Sequence, residues 1–236
     1  MFVASACVPA RFGQESDGEH EFGKAGAVYT CLKELVLANR IRPFQRLGAS
    51  EIAVRLKVSV TPVREALQRL SVERLIAQKV YYGYYVRGLN ADEQEQLCRF
   101  ASLLITHAAR AAAIPADPYS FWMTALPAGW ETSAVMPTHF VEGVYKTMVG
   151  LTGNVELCRV MDNIIDRTHI VRDMDIKHPD SAAMVMTDMR NVIFALLARD
   201  ADLVVTNLTE QFRRQISRLC GLVREANTQA RLMDWP

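Results

Sequence analysis

The sequence predicts a mainly α-helical protein in which a small basic domain precedes a larger helical one. Three observations carry this expectation. Apolar residues recur at helical spacing along most of the chain. Two short aromatic and β-branched runs flank a glycine at position 83, as in a hairpin. Positive charge is concentrated in residues 24–90.

The charge is strongly segregated along the 236 residues. Residues 24–90 contain twelve Lys and Arg against four Asp and Glu, residues 91–236 contain fourteen against eighteen, and residues 1–23 contain one against four. A basic domain beside an acidic one is typical of nucleic-acid binding, because neutralising phosphates supplies much of the non-specific affinity. A merely solvated basic surface is the alternative at this point.

Composition and motifs exclude several classes of protein. Apolar residues make up 50% and charged residues 22% of the chain, which is ordinary for a globular protein with a core. No apolar run reaches the roughly 20 residues that cross a bilayer, and the first residues lack the basic and apolar regions of a secretory signal. A cytoplasmic protein without a membrane partner is therefore expected. The five cysteines are scattered and show no C-x-x-C spacing, which argues against a disulfide framework or a zinc knuckle.

The N-terminal part is predicted to contain three helices and a hairpin. Residues 1–23 show little periodicity and are expected to form a flexible arm. Helices are predicted over residues 28–38, over residues 50–56, and from Ser59 or Thr61 onward, where a hydroxyl can cap the helix and Pro62 is tolerated. Residues 75–87 follow as the hairpin. This order is that of a winged helix-turn-helix domain, predicted over residues 24–90.

The C-terminal part is predicted to be an antiparallel helical bundle over residues 91–228, followed by a tail of residues 229–236. Helical patterns cover residues 92–113, 139–151, 154–173, 181–199 and 201–226. Four prolines within residues 114–137 exclude one long helix there, so short helices or loops are expected.

The turn between the second and third predicted helices carries the most specific motif. Residues 52–70 read IAVRLKVSVTPVREALQRL. They resemble the helix-turn-helix of GntR-type regulators, whose pattern runs approximately L-A-x-x-L-x-V-S-R-T-P-V-R-E-A-L-x-x-L. The resemblance implies a sequence-specific transcription regulator that binds a palindromic operator in double-stranded DNA as a homodimer and, by family habit, represses transcription.

A recognition helix enters the major groove by its N-terminal end, so small hydroxyls and an arginine are expected in its first turn. By resemblance, Thr61 and backbone N–H groups hold phosphates, while Arg64 reaches a phosphate or a guanine edge. A salt bridge on a solvated helix face is the alternative for Arg64. Gly83 lets the hairpin tip, the wing, approach the DNA. The full set of predicted DNA contacts is Arg46, Ser59, Thr61, Pro62, Arg64, Gln68, Arg69 and Gly83.

The chain departs from the family pattern at four positions. Ser50 and Val60 stand where the family often has arginine, which removes two expected DNA contacts. Arg74 replaces the glycine that usually closes the recognition helix, and Tyr82 replaces a basic wing residue. Weaker binding or a different operator is the expected consequence.

The C-terminal part resembles the helical effector domain of the FadR branch of this family, called FCD. The resemblance rests on Gly153-Asn154 before a long helix and on residues 195–200, ALLARD. Many FCD domains bind a metal through one Asp and three His. The corresponding positions here hold Val141, Tyr145, Met189 and Gln211. None is a strong ligand, so neither a metal nor another cofactor is predicted.

Loss of the metal ligands suggests a pocket for a small organic effector that modulates DNA affinity. The residues expected to supply its polar groups are His107, Tyr145, Arg167, Asn207 and Gln211. A closed core around a vestigial cavity, with His107 as a core histidine, is the alternative. A metal-responsive regulator with other ligands and a ligand-independent DNA binder also remain open. No catalytic motif or clustered catalytic residue is visible, so the protein is not expected to be an enzyme.

Overall fold

The computed structural model describes residues 20–112, 117, 122 and 138–231. Most of the predicted N-terminal arm, and of the proline-containing segment 114–137, lies outside the described residues. The described chain divides into two compact units. One contains residues 20–88 together with residues 227–231, and the other is Leu89–Ala226.

The first unit contains three helices and a three-stranded antiparallel sheet. The helices are α1 (His20–Leu37), α2 (Ala49–Leu56) and α3 (Val60–Val72), and the strands are β1 (Arg46–Leu47), β2 (Ile76–Lys79) and β3 (Gly83–Val86). The strand order is β1-β3-β2, with Arg46 opposite Tyr85 and Lys79 opposite Gly83. The predicted hairpin thus pairs with a third, two-residue strand that the sequence did not indicate.

One apolar core joins these elements. Helix α1 contributes Val28 and Leu32, and α3 contributes Leu67 and Leu70, all at most 1% exposed. Helix α1 begins at His20 rather than at the predicted residue 28. Glycines at positions 23 and 26 interrupt the apolar periodicity, which explains why the first turns were missed.

The second unit is helical throughout its described residues. Its helices are α4 (Ala91–Ala111), α5 (Thr138–Gly150), α6 (Val155–Lys177), α7 (Ala182–Leu197) and α8 (Ala201–Arg231), the last of which continues into residues of the first unit. All five contribute to a second core. Helices α6 and α8 run beyond their predicted ends at residues 173 and 226. The predicted mainly helical fold, with a small winged domain before a helical one, is confirmed.

Local chemistry at the chain reversals explains where two helices begin. The Asn90 side chain accepts a hydrogen bond from the Glu93 N–H at 2.9 Å, and that of Asn154 accepts one from the Leu157 N–H at 3.1 Å. These are N-caps. Gly153 precedes Asn154 with φ of +68°, a conformation that favours glycine. The Gly-Asn pair therefore ends α5 and begins α6.

In the part of the chain that the structure describes, every helix falls short of the length or the apolarity needed to cross a membrane.

Candidate nucleic-acid interface and effector site

The turn between α2 and α3 leaves the start of α3 open to a ligand. Lys57 ends α2 in the left-handed conformation, with φ of +55°. Ser59 occupies the N-cap position of α3, but its side chain makes no capping hydrogen bond. The first N–H groups of a helix have no partner within the helix and favour anions. Here they lie beside an exposed serine hydroxyl that is not used as a cap.

One face of α3 is exposed and carries three of the predicted DNA contacts. Thr61, Arg64 and Gln68 are exposed, whereas Val63 and Leu67 on the opposite face are fully buried. Among the described residues, Arg64 has no ion pair or hydrogen bond, so the salt-bridge alternative finds no partner. The guanidinium is free to meet an anion from outside the chain.

Two other predicted contacts are used inside the domain. Arg69 lies over the ring of Tyr29, 3.8 Å from its centroid, and its Nε donates to Glu73 at 3.1 Å. The Tyr29 hydroxyl donates to the same carboxylate at 2.7 Å, and burial with this hydrogen bond raises the pKa of Tyr29. Pro62 is buried. Arg69 therefore fastens α3 to α1, and Pro62 packs in the core rather than on the exposed face.

The wing places two basic residues beside its turn. Gly83 has φ of +93°, and a Cβ there would lie 3.9 Å from Nε of the exposed Arg46. The Lys79 ammonium lies 4.9 Å from the centroid of the Tyr85 ring. The Tyr85 hydroxyl in turn donates to the Tyr82 carbonyl at 3.2 Å, which anchors the turn. Sequence reasoning named Arg46 and Gly83 but not Lys79.

In the second unit, the structure brings together two of the five predicted effector residues. The Tyr145 hydroxyl is hydrogen-bonded to the Gln211 side chain, and its ring stacks on Phe212 with centroids 5.8 Å apart. Both Tyr145 and Gln211 are more than nine-tenths buried. The side-chain carbonyl oxygen of Gln211 has no hydrogen-bond donor among the described residues. A buried acceptor in this state costs roughly 1–3 kcal/mol.

The other three predicted effector residues lie elsewhere. His107 is exposed on α4, so it is not a core histidine either. Arg167 forms an ion pair with Glu93. Asn207 donates to the Asn191 carbonyl at 3.1 Å.

A buried arginine that the sequence analysis missed approaches Tyr145. Arg172 is 5% exposed, and its guanidinium carbon lies 5.9 Å from the centroid of the Tyr145 ring. It donates to Oε1 of Glu142 and to the Thr168 hydroxyl, both at 2.6 Å. His169 contacts the same Glu142 oxygen through Nδ1 at 2.8 Å. We call Tyr145, Gln211, Arg172, Glu142 and Thr168 the polar core cluster.

Electrostatics within this cluster are balanced. Burial alone would raise the pKa of Glu142, but the hydrogen bond with His169 and the charge of Arg172 hold it below the ordinary glutamate value. Glu142 is therefore ionised and neutralises Arg172 near pH 7. Only the spacing of Thr168 and Arg172, four residues apart on α6, hinted at the cluster in the sequence.

A thiol and a second glutamine extend the polar groups of this core. The Cys98 Sγ lies 4.0 Å from Oε1 of Gln215, to which it donates. Burial raises the pKa of Cys98 to about 11. Cys98 therefore stays a neutral thiol in the core.

The four positions that correspond to the FCD metal ligands do not suit a metal. Val141, Tyr145, Met189 and Gln211 are all buried. Burial raises the pKa of Tyr145, so its phenol stays protonated, and none of the four supplies an anionic or imidazole ligand. Across the described ranges, no three His, Cys, Asp or Glu residues are grouped as metal ligands would be.

Comparison with known proteins finds a family match for the first unit and a relative over part of the chain. Residues 24–86 match the bacterial regulatory proteins of the gntR family. The Nta operon transcriptional regulator of Aminobacter aminovorans is 29% identical over 146 residues, which are 60% of this chain and 70% of that protein.

Two solved structures share the fold. Escherichia coli McbR/YncC has a TM-score of 0.68 at 17% identity, covering 84% of this chain and 97% of that one. A putative transcriptional regulator GntR from Rhodococcus sp. RHA1 has a TM-score of 0.70 at 20% identity, covering 84% and 98%.

The family match begins within α1 and ends with β3, so it covers the helix-turn-helix and the wing together. Residues 24–86 of this chain therefore form a winged helix-turn-helix domain of the gntR type.

Proposed function

We propose that this protein is a GntR-type regulator that binds a palindromic operator as a homodimer and represses transcription in the cytoplasm. A small organic effector that binds in the second unit lowers or raises its affinity for DNA. The observation that carries the DNA-binding part is the start of α3. An uncapped helix N-terminus, two exposed hydroxyls and an arginine that has no partner among the described residues lie together there.

The residues at the start of α3 contribute differently to the affinity and to the specificity of DNA binding. The Ser59 and Thr61 hydroxyls and the free N–H groups bind phosphates, which sets the register of the helix on the duplex. Arg64, one turn further on, reaches a guanine edge or the next phosphate, and Gln68 extends along the groove. Arg46 and Gly83 bring the wing to the backbone. Arg69 and Pro62 act indirectly, by holding α3 in place.

Fluorescence anisotropy tests this interface. The probe is a labelled duplex from the region upstream of the protein's own gene, with a scrambled duplex for comparison, at 50 and 200 mM salt. Selective binding that weakens steeply with salt is expected. Arg64→Ala should weaken selective binding by roughly 5- to 150-fold, the worth of one good base contact.

Arg159→Ala is the matched control, because it removes an exposed arginine of the second unit that pairs with Glu156. It should bind DNA as the wild type does. Equal binding of the upstream and scrambled duplexes, or an Arg64→Ala protein with unchanged selectivity, would refute the interface.

A homodimer follows from the geometry of palindromic operators. Two recognition helices reach successive major-groove faces only when they are held about 34–36 Å apart. Light scattering after gel filtration should give twice the chain mass of 26.5 kDa. A monomer at micromolar concentration that also binds a half-site duplex as tightly as the full palindrome would contradict this proposal.

For the effector, the polar core cluster favours an uncharged molecule that offers a hydroxyl or N–H donor. Among the described residues, the buried side-chain atom of the cluster that lacks any hydrogen-bond partner is an acceptor, the Gln211 carbonyl oxygen. The cation of Arg172 is already neutralised by Glu142, so a carboxylate finds no unpaired charge. Phe212, whose ring stacks on that of Tyr145, offers apolar surface beside the cluster.

Thermal shift with matched probe pairs tests this class of effector. Phenol and benzyl alcohol are compared with benzoate, each at millimolar concentration, and then titrated into the anisotropy assay. The alcohols should raise Tm and change DNA affinity in the wild type, with less effect in Gln211→Leu. A response to benzoate or to zinc alone would favour the carboxylate or metal alternatives, and DNA affinity unchanged by every probe would favour a vestigial sensor.

A further inference from the structure

The turn of the wing is built in an unusual way. Residues 80–82, Val-Tyr-Tyr, join β2 to β3, and the Tyr82 N–H donates to the Lys79 carbonyl at 3.0 Å. Tyr81 sits at the apex with φ of +67°. That conformation suits glycine or asparagine and is costly for a side chain with a Cβ. A tyrosine is therefore held where turn chemistry would choose a smaller residue.

No described residue of the domain packs against Tyr81 to offset this cost. Tyr81 is 100% exposed, Val80 is 72% exposed and Tyr82 is 67% exposed. Three bulky side chains at a hairpin tip make a small apolar and phenolic patch in water. We call Val80, Tyr81 and Tyr82 the wing tip.

The surroundings of the wing tip indicate what covers it. Lys79 precedes the wing tip and lies opposite Gly83 in the hairpin. The side chain of Arg46, on the adjacent strand β1, lies close to Gly83. Two cations therefore flank an apolar apex. This pattern complements a nucleic-acid backbone, where phosphates border the apolar faces of the sugars. The wing also belongs to the same family-matched domain as the recognition helix.

Resting on the DNA-binding function proposed above, we propose that Tyr81 adds a contact that does not depend on charge: its ring packs against the sugars and base edges of the groove beside the one occupied by α3, while Lys79 and Arg46 bind the flanking phosphates. At position 82 the family has a basic wing residue, and this chain has Tyr82. The ring of Tyr81 takes over the DNA-contacting role of that basic residue. Apolar contacts of this kind release no counterions. They add affinity that salt does not screen.

Two substitutions of Tyr81 separate this role from a structural one. Tyr81→Asn removes the ring and inserts a residue that tolerates the left-handed conformation, so it should leave Tm equal or higher. Tyr81→Phe keeps the ring and the backbone cost. If the wing tip only supported the fold, Tyr81→Asn would lower Tm.

The experiment measures Kd by anisotropy at four salt concentrations, on the duplex from the region upstream of the protein's own gene. Tyr81→Asn should bind about tenfold more weakly at every salt concentration, with an unchanged salt slope, while Tyr81→Phe stays within about twofold of the wild type. Lys79→Ala should lower the slope of log Kd against log salt by about 1. Leu103→Ala, which trims an exposed apolar residue of the second unit, is the control for non-specific effects.

Wild-type affinity of Tyr81→Asn would overturn the proposal, as would a loss that vanishes at low salt or an equal loss in Tyr81→Phe. Failure of the wild type to bind any duplex at low salt would instead overturn the DNA-binding assignment of the whole domain.

Discussion

Removing the charge of Glu142 should destabilise the second unit through Arg172. Arg172 is 95% buried and uses its guanidinium on Glu142, Thr168 and the Ile165 carbonyl. Glu142→Gln keeps a carbonyl oxygen that can accept one hydrogen bond, but it leaves a buried cation without a counter-charge. Breaking a buried pair costs roughly 3–5 kcal/mol, and the retained hydrogen bond recovers part of this, so a loss of about 3 kcal/mol is expected at pH 7.

Urea unfolding followed by circular dichroism measures this loss. Glu95→Gln is the matched control, because Glu95 pairs with Arg99 on the exposed face of α4. It should cost less than about 0.5 kcal/mol, as exposed pairs do. The double variant Glu142→Gln with Arg172→Met should be more stable than Glu142→Gln alone, since no unpaired charge remains.

The same pair gives a pH dependence with a definite sign. The pKa of Glu142 is lower in the folded state than its ordinary value of 4.5. Its contribution is therefore complete above that value and is lost as the pH falls through the folded-state pKa. The stability gap between wild type and Glu142→Gln should be largest near neutral pH and narrow below pH 4.5. A gap under about 1 kcal/mol at pH 7, or one of equal size at pH 3.5, would refute the buried-pair reasoning.

Two further outcomes are expected. Arg74→Gly should stabilise the first unit by about 0.5–1 kcal/mol in urea unfolding, because Arg74 has φ of +60° at the end of α3. The Arg74 carbonyl, which accepts a hydrogen bond from Arg87, is retained in this variant. Gln78→Gly, in a strand with ordinary geometry, should destabilise the unit, and a loss of stability in both variants would contradict the argument. Iodoacetamide at pH 8 should modify the exposed Cys220 in the native protein, and Cys98 only in urea. Burial shields Cys98 and raises its pKa to about 11. Equal labelling of both cysteines in the native protein, found by peptide mapping, would show that this core opens.

What the sequence predicted well is local in origin. Residues 52–70 specify α2, the turn and α3 through neighbours within a few positions, and the Gly153-Asn154 pair specifies one helix end and the next helix start. The two-residue strand β1 escaped prediction because only its pairing with β3 defines it. Periodicity has no signal for such a short strand.

The effector residues show the limit more clearly. Glu142 and Arg172 are thirty positions apart, and their contact depends on how α5 packs against α6. Composition gives no hint that this arginine is buried, since arginine is usually exposed. His107 lies on an alanine-rich helix that reads as core, yet its position on α4 faces outward. Family positions located Tyr145 and Gln211, whereas the charged part of the cluster required the tertiary structure.

The proposed interface draws its strength from an unusual balance of forces. Ser50 and Val60 lack the charge that family members often carry there, and Arg69 is engaged with Tyr29 and Glu73. Each phosphate contact contributes a salt slope of about 0.9, so each lost contact removes about 3.5-fold of affinity change between 50 and 200 mM salt. A DNA-binding domain with fewer phosphate contacts binds DNA less tightly at low salt, but it loses less affinity as the salt concentration rises. An apolar wing tip compensates for this loss, because its contribution persists at physiological salt, where discrimination between operator and bulk DNA matters.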